Sequence, residues 1–66
     1  MSNDKYIHEF VVAVNETVAD CEKLMLHLNN HCGVAPEDVS IGHVYNVRHV
    51  NALINEAKTF LGMRED

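Results

Sequence analysis

The sequence predicts an all-α fold: a long antiparallel helical hairpin that dimerises into a four-helix bundle. Three observations lead there. Apolar or small residues recur at alternating spacings of four and three over residues 7–28, and again over residues 47–61; this is the period of a helix with one buried face. Breaks at Gly33 to Asp38 and at Gly62 bound the two runs. The 66 residues leave room for one small domain, and a chain that short buries only about 60% of its unfolded surface, so a core built within one copy is marginal. The expected layout is a single domain over residues 1–66, with helix 1 at about 4–32, a linker at 33–40 and helix 2 at about 41–61.

Helix 1 starts at Ser2-Asn3-Asp4, where Asn3 suits the cap position and Asp4 places a negative charge in the first turn. Its stripe is Ile7, Val11, Val14, Val18, Cys21, Met25 and Leu28, widened by Phe10 and Leu24. Seven-residue repetition of this kind is the pattern of a helix–helix seam. Glu9, Glu16, Glu22, Lys23, Asn29 and Asn30 occupy the other side, and no proline or glycine interrupts residues 3–32. Gly33 is placed to stop the helix as the left-handed residue of a Schellman motif, with Val34 following it.

In the linker, Pro36 disfavours helical geometry at Ala35. Ser40 then caps helix 2, and Val39 and Val44 take the two positions of a hydrophobic staple. The inner positions of helix 2 are Val47, Val50, Ile54, Ala57 and Leu61, widened by Leu53 and Phe60. Gly62 ends it, with Met63 folding back. Two alternatives compete. Residues 6–14 are rich in strand formers and, with a second strand at Val39–Tyr45, would give a small β-α-β-α unit. The helical reading is preferred because its spacing runs unbroken to residue 28, whereas Phe10-Val11-Val12 spoils strand alternation. Helix 2 starting at Pro36, with an irregularity at Gly42, is the other.

A lone hairpin cannot enclose so wide a stripe on helix 1. Val12, Ala19 and Leu26 also repeat every seven residues, on a shoulder beside the main stripe with no partner inside one hairpin. A homodimer is the simplest way to cover the apolar faces. This outline resembles the Rop-type helical hairpin dimer in length, acidity and layout. The resemblance is architectural and transfers no RNA-binding motif.

Composition narrows the function. Ten Asp and Glu against five Lys and Arg give a formal net charge of −5, so the long-range field repels a phosphate backbone. Full protonation of the five histidines would cancel that charge, lowering solubility below about pH 6.5. No apolar run approaches the length of a membrane span. Two cysteines are too few for a disulfide scaffold, and in one continuous helix Cys21 and Cys32 would lie about 16 Å apart, beyond bridging distance. Free thiols and the lack of a secretory-type N-terminus lead to the expectation of a cytoplasmic protein.

No catalytic arrangement emerges. Cys21 is a seam residue, Cys32 lies near a helix C-terminus that does not favour a thiolate, and Ser40 is explained as a cap. Glu16 and Asp20 read as solubilising surface, and no glycine-rich phosphate loop exists. His27, His31, Cys32 and His43 are of zinc-binding type and fall at the linker end of a hairpin, but they lack the short spacings of a structural zinc site. The polar-face reading of these histidines is preferred, and no metal or cofactor is expected.

The expected function is that of a small non-enzymatic regulator or adaptor, a homodimer that binds another protein. Its candidate contacts are Val12, Glu16, Ala19, Asp20, Leu26, Glu37 and Asp38, with Glu9 and Glu22 beside them. One alternative is an RNA-type nucleic-acid-binding dimer using Lys5, Lys23, Arg48, Lys58 and Arg64, which would show a steep salt dependence. The other is a structural component of a larger assembly, with an obligate heteromeric interface.

Overall fold

The computed structural model describes residues 3–63. In order they form α1 (Asp4–Asn29), a 3-10 turn (His31–Gly33), a second 3-10 turn (Pro36–Asp38) and α2 (Ile41–Phe60). The described residues contain no strand. Residues 6–14 are helical in spite of their β-branched content, because an uninterrupted helical repeat outweighs the weak preference of single residues. The chain divides into two compact units, Met1–Val34 and Ala35–Asp66, which are taken in turn.

In the first unit, Asn3 holds the cap position of α1, with φ −102° and ψ 19°, but its side chain makes no capping bond. The helix opens on the backbone bond from Ile7 N–H to the Asn3 carbonyl at 2.9 Å. Asp4 stands in the first turn, as expected for an acid at the positive end of the helix dipole. The Ser2 part of the expected start lies outside the described residues. Midway, Thr17 Oγ1 donates to the Ala13 carbonyl at 2.7 Å, the back-bond that satisfies a hydroxyl inside a helix.

α1 ends at Asn29, three residues before the expected boundary at 32. Asn30 is its C-cap and donates to the Leu26 carbonyl at 3.1 Å. His31, Cys32 and Gly33 then take left-handed φ values of 54°, 55° and 73°. The turn closes through Gly33 N–H to the Asn30 carbonyl and Val34 N–H to the His31 carbonyl, both at 3.0 Å. The expected Schellman stop at Gly33 is therefore replaced by a left-handed turn that begins two residues earlier. Histidine tolerates positive φ better than most residues. Once His31 adopts it, the right-handed ladder cannot continue, and Cys32 is carried into a conformation costing about 1–2 kcal/mol.

The second unit follows the sequence more closely. Ala35 is extended and Pro36 begins the 3-10 turn, which accounts for part of the alternative that started helix 2 at Pro36. Val39 and Ser40 break that turn before α2 begins at Ile41. Ser40 is the cap of α2 in extended geometry, and a capping box joins it to His43. The Ser40 backbone N–H donates to His43 Nδ1 at 2.9 Å, and Ser40 Oγ lies 3.2 Å from the same nitrogen. Histidine here fills the role that Glu or Gln usually plays three residues after the cap. With Ser40 as cap, Val39 and Val44 stand at the staple positions. At the other end Gly62 has φ 80°. Met63 N–H donates to the Lys58 carbonyl at 2.9 Å and Gly62 N–H to the Thr59 carbonyl at 3.0 Å. This pair of bonds is the Schellman motif expected at Gly62.

Among the described residues no side chain is buried. Val18, in the middle of the α1 stripe, remains 49% exposed, and Phe60 on α2 is 90% exposed. Leu28 and Val50 are half-buried.

Candidate functional site

At about 100° per residue, α1 carries two apolar columns rather than one broad face. The main stripe is formed by Ile7, Val14, Cys21 and Leu28 together with Val11, Val18 and Met25, and Phe10 and Leu24 extend it on one side. Val12, Ala19 and Leu26 form the second column, about 150° around the helix from the Ile7–Leu28 column. They stand about 100° from the Val11–Val18–Met25 row of the main stripe, so the column lies to one side of that stripe, where the expected shoulder falls. His8, Asn15, Glu22 and Asn29 form a polar row between the columns.

Leu26 is 72% exposed and Val12 is 40% exposed, with Ala19 exposed between them. Fourteen residues separate Val12 from Leu26, about 21 Å along the helix axis. Ala19 has the smallest side chain of the three, and its neighbours on the helix surface are Asn15, Glu16, Glu22 and Lys23. At the Leu26 end, Lys23, Leu26, His27, Asn29 and Asn30 line an open surface depression. Of these only Leu26 stood among the candidate contacts. The others follow from the helical register around it, a signal legible in the sequence.

The column has an acidic border. Glu9 and Glu16 run along one flank and Glu22 lies on the other, with Asp20 further around and Lys23 the cation in the row. All five are exposed. Glu16 and Asp20, candidate contacts by sequence, thus share this side of α1 with Val12, Ala19 and Leu26. Glu37 and Asp38 belong to the other unit, where both lie exposed in the Pro36–Asp38 turn.

The histidines and cysteines weighed as a zinc-type set, and set aside in favour of polar-face roles, fall as follows. His27 is in the last turn of α1, but His31 and Cys32 have left the helix. The four-residue helical spacing that would have aligned His27 with His31 is lost. His43 Nδ1 accepts the Ser40 backbone N–H, so that nitrogen is already engaged in capping α2. Among the described residues no group of three or more His, Cys, Asp or Glu is placed to hold a metal ion. Cys21 and Cys32 are free thiols, and the helix distance that would have separated them no longer applies, since Cys32 is outside α1.

The cations do not collect on either unit. Lys5 and Lys23 stand about 27 Å apart along α1, and Arg48 and Lys58 about 15 Å apart along α2. Arg64 lies outside the described residues. No described helix is long and apolar enough to cross a membrane. In comparison with known proteins, the chain matches no family model, no curated protein and no solved structure.

Proposed function

We propose that this protein is a small non-enzymatic regulator or adaptor, a homodimer that acts by binding another protein. The observation that carries the reading is the second apolar column of α1, set about 100–150° around the helix from its main stripe. The main stripe, with the inner stripe of α2, is the surface that two hairpins close into a four-helix bundle. Its exposure in one copy, Val18 and Phe60 included, supports a need for a second. A bundle core covers an arc a little over 100° wide. The Val12–Ala19–Leu26 column falls outside that arc and stays on the surface of the dimer, where it anchors a protein partner.

Sedimentation and circular dichroism test both halves. The wild type is expected to sediment as a helical dimer. Val18→Asp should abolish the dimer, while the Val12→Asp/Leu26→Asp double variant should retain it and lose a partner that the wild type captures. A stably helical monomer would refute the bundle. Unfolding of the double variant would place Val12 and Leu26 in the core and refute the second surface.

A further inference from the structure

We infer that the Val12–Ala19–Leu26 column is a docking groove for a basic amphipathic helix of the partner protein. This inference rests on the proposed dimer, since it requires the column to face outward once the main stripe is covered. Three features identify the occupant.

The first is register. Val12, Ala19 and Leu26 recur at seven-residue steps of about 10.5 Å along a straight helical element. A second helix presents its own side chains at that interval, whereas an extended strand repeats about every 6.8 Å and slips out of phase within two steps. The second is shape. Ala19 is the smallest of the three and lies between Val12 and Leu26, so a large side chain from the partner fits over it as a knob. The open depression at Lys23, Leu26, His27, Asn29 and Asn30 gives a further anchor a seat at the Leu26 end.

The third is charge. Glu9 and Glu16 flank the column on one side and Glu22 on the other, and Asp20 adds a fourth carboxylate beyond them. Lys23 borders the same stretch, and Lys5, seven residues before Val12, heads the column, so four carboxylates stand against two cations. A helix seated over Ala19 therefore passes between carboxylates on both sides, so Lys or Arg beside its apolar anchors is favoured and Glu or Asp is repelled. The same field disfavours nucleic acid at this surface.

Two synthetic helical peptides of about 21 residues test the assignment, sharing one leucine stripe and flanked by lysine in one and by glutamate in the other. Binding is read by fluorescence anisotropy on the full chain, at about 25 mM and about 250 mM salt. The lysine peptide should bind at least about tenfold more tightly than the glutamate peptide, and more weakly at the higher salt. Val12→Asp/Leu26→Asp should weaken it about tenfold or more, and Glu9→Lys/Glu16→Lys/Glu22→Lys should reverse the preference between the peptides. Equal binding of both peptides, no binding of the lysine peptide, or binding unchanged in Val12→Asp/Leu26→Asp would each overturn the groove. Sedimentation of the same samples separates the two levels. With the dimer intact, a negative peptide result refutes the groove alone, whereas loss of the dimer in Val12→Asp/Leu26→Asp refutes the proposed function with it.

Discussion

α2 stops where its glycine stands, with Gly62 in the left-handed position and Met63 N–H closing on the Lys58 carbonyl. α1 stops four residues short of Gly33, and it is His31, not a glycine, that follows the C-cap in a left-handed conformation. The two helices also differ around their circumference. α2 has its inner residues on one side, with Arg48, Asn51, Asn55 and Glu56 away from them, and Asn55 Nδ2 donates to the Asn51 carbonyl and to Asn51 Oδ1, both at 3.1 Å. Each helix also carries apolar residues away from its main stripe: Val12, Ala19 and Leu26 on α1, and Ile41, Tyr45 and Ala52 on α2. On α1 they recur every seven residues, whereas on α2 the spacing is irregular and Arg48 stands among them.

The largest effects should come from the main stripes of the two helices, which the proposed dimer would bury. Val18→Asp in α1 and Ile54→Asp in α2 each place a charge in the expected dimer seam and should cost at least about 3 kcal/mol, seen as loss of helicity and of the dimer. If only one of the two were disruptive, the helices would not share a core. The helix ends come next. Gly62→Ala forces a Cβ into the left-handed region and should lower stability by about 1–2 kcal/mol in thermal denaturation. His31→Gly should do the opposite, gaining up to about 1 kcal/mol, because relief of strain exceeds the added backbone entropy. A loss at His31→Gly would mean that the histidine side chain contributes more than its strained backbone costs.

Smaller effects sharpen the comparison further. Gly42 sits inside the first turn of α2, and a Cβ there meets only Ser40 Oγ, at an ordinary contact distance of 3.5 Å. Gly42→Ala should thus raise stability by about 0.5–1 kcal/mol, read from the melting midpoint. The smallest change is expected from Leu26→Asp, outside the main stripe of α1, within about 0.5 kcal/mol of the wild type. The near-neutrality of this exposed apolar position, set against the collapse at Val18→Asp, is the direct measure of how different the two columns are.

Much of this was legible in the residues. The four-and-three spacing from Ile7 to Leu28 identified α1 even through Phe10-Val11-Val12, because a periodic signal summed over many positions outweighs the strand preference of three. Ser40 was legible as a cap and Gly62 as a stop because each rests on a local bonding pattern with few competitors. The role of His43 in capping was not, since histidine is an uncommon third-residue partner and no spacing rule points to it. The candidate contacts Val12, Ala19 and Leu26 were visible as a repeat, but their offset of about 100–150° from the main stripe required the helix to run unbroken beneath both columns.

The sequence by itself determined that the chain is helical, which residues line each stripe, and where α2 begins and ends. Those properties depend on repeats and caps whose contributions come from neighbours within a turn. Only the three-dimensional structure showed that α1 ends at Asn29 and that His31 and Cys32 turn left-handed, which removes them from the face they would otherwise share with His27. The physical reason is the size of the energies involved. A helical stripe is the sum of many small preferences in one direction, whereas a helix end is settled at one residue by a balance of about 1–2 kcal/mol between continuing the ladder and turning left.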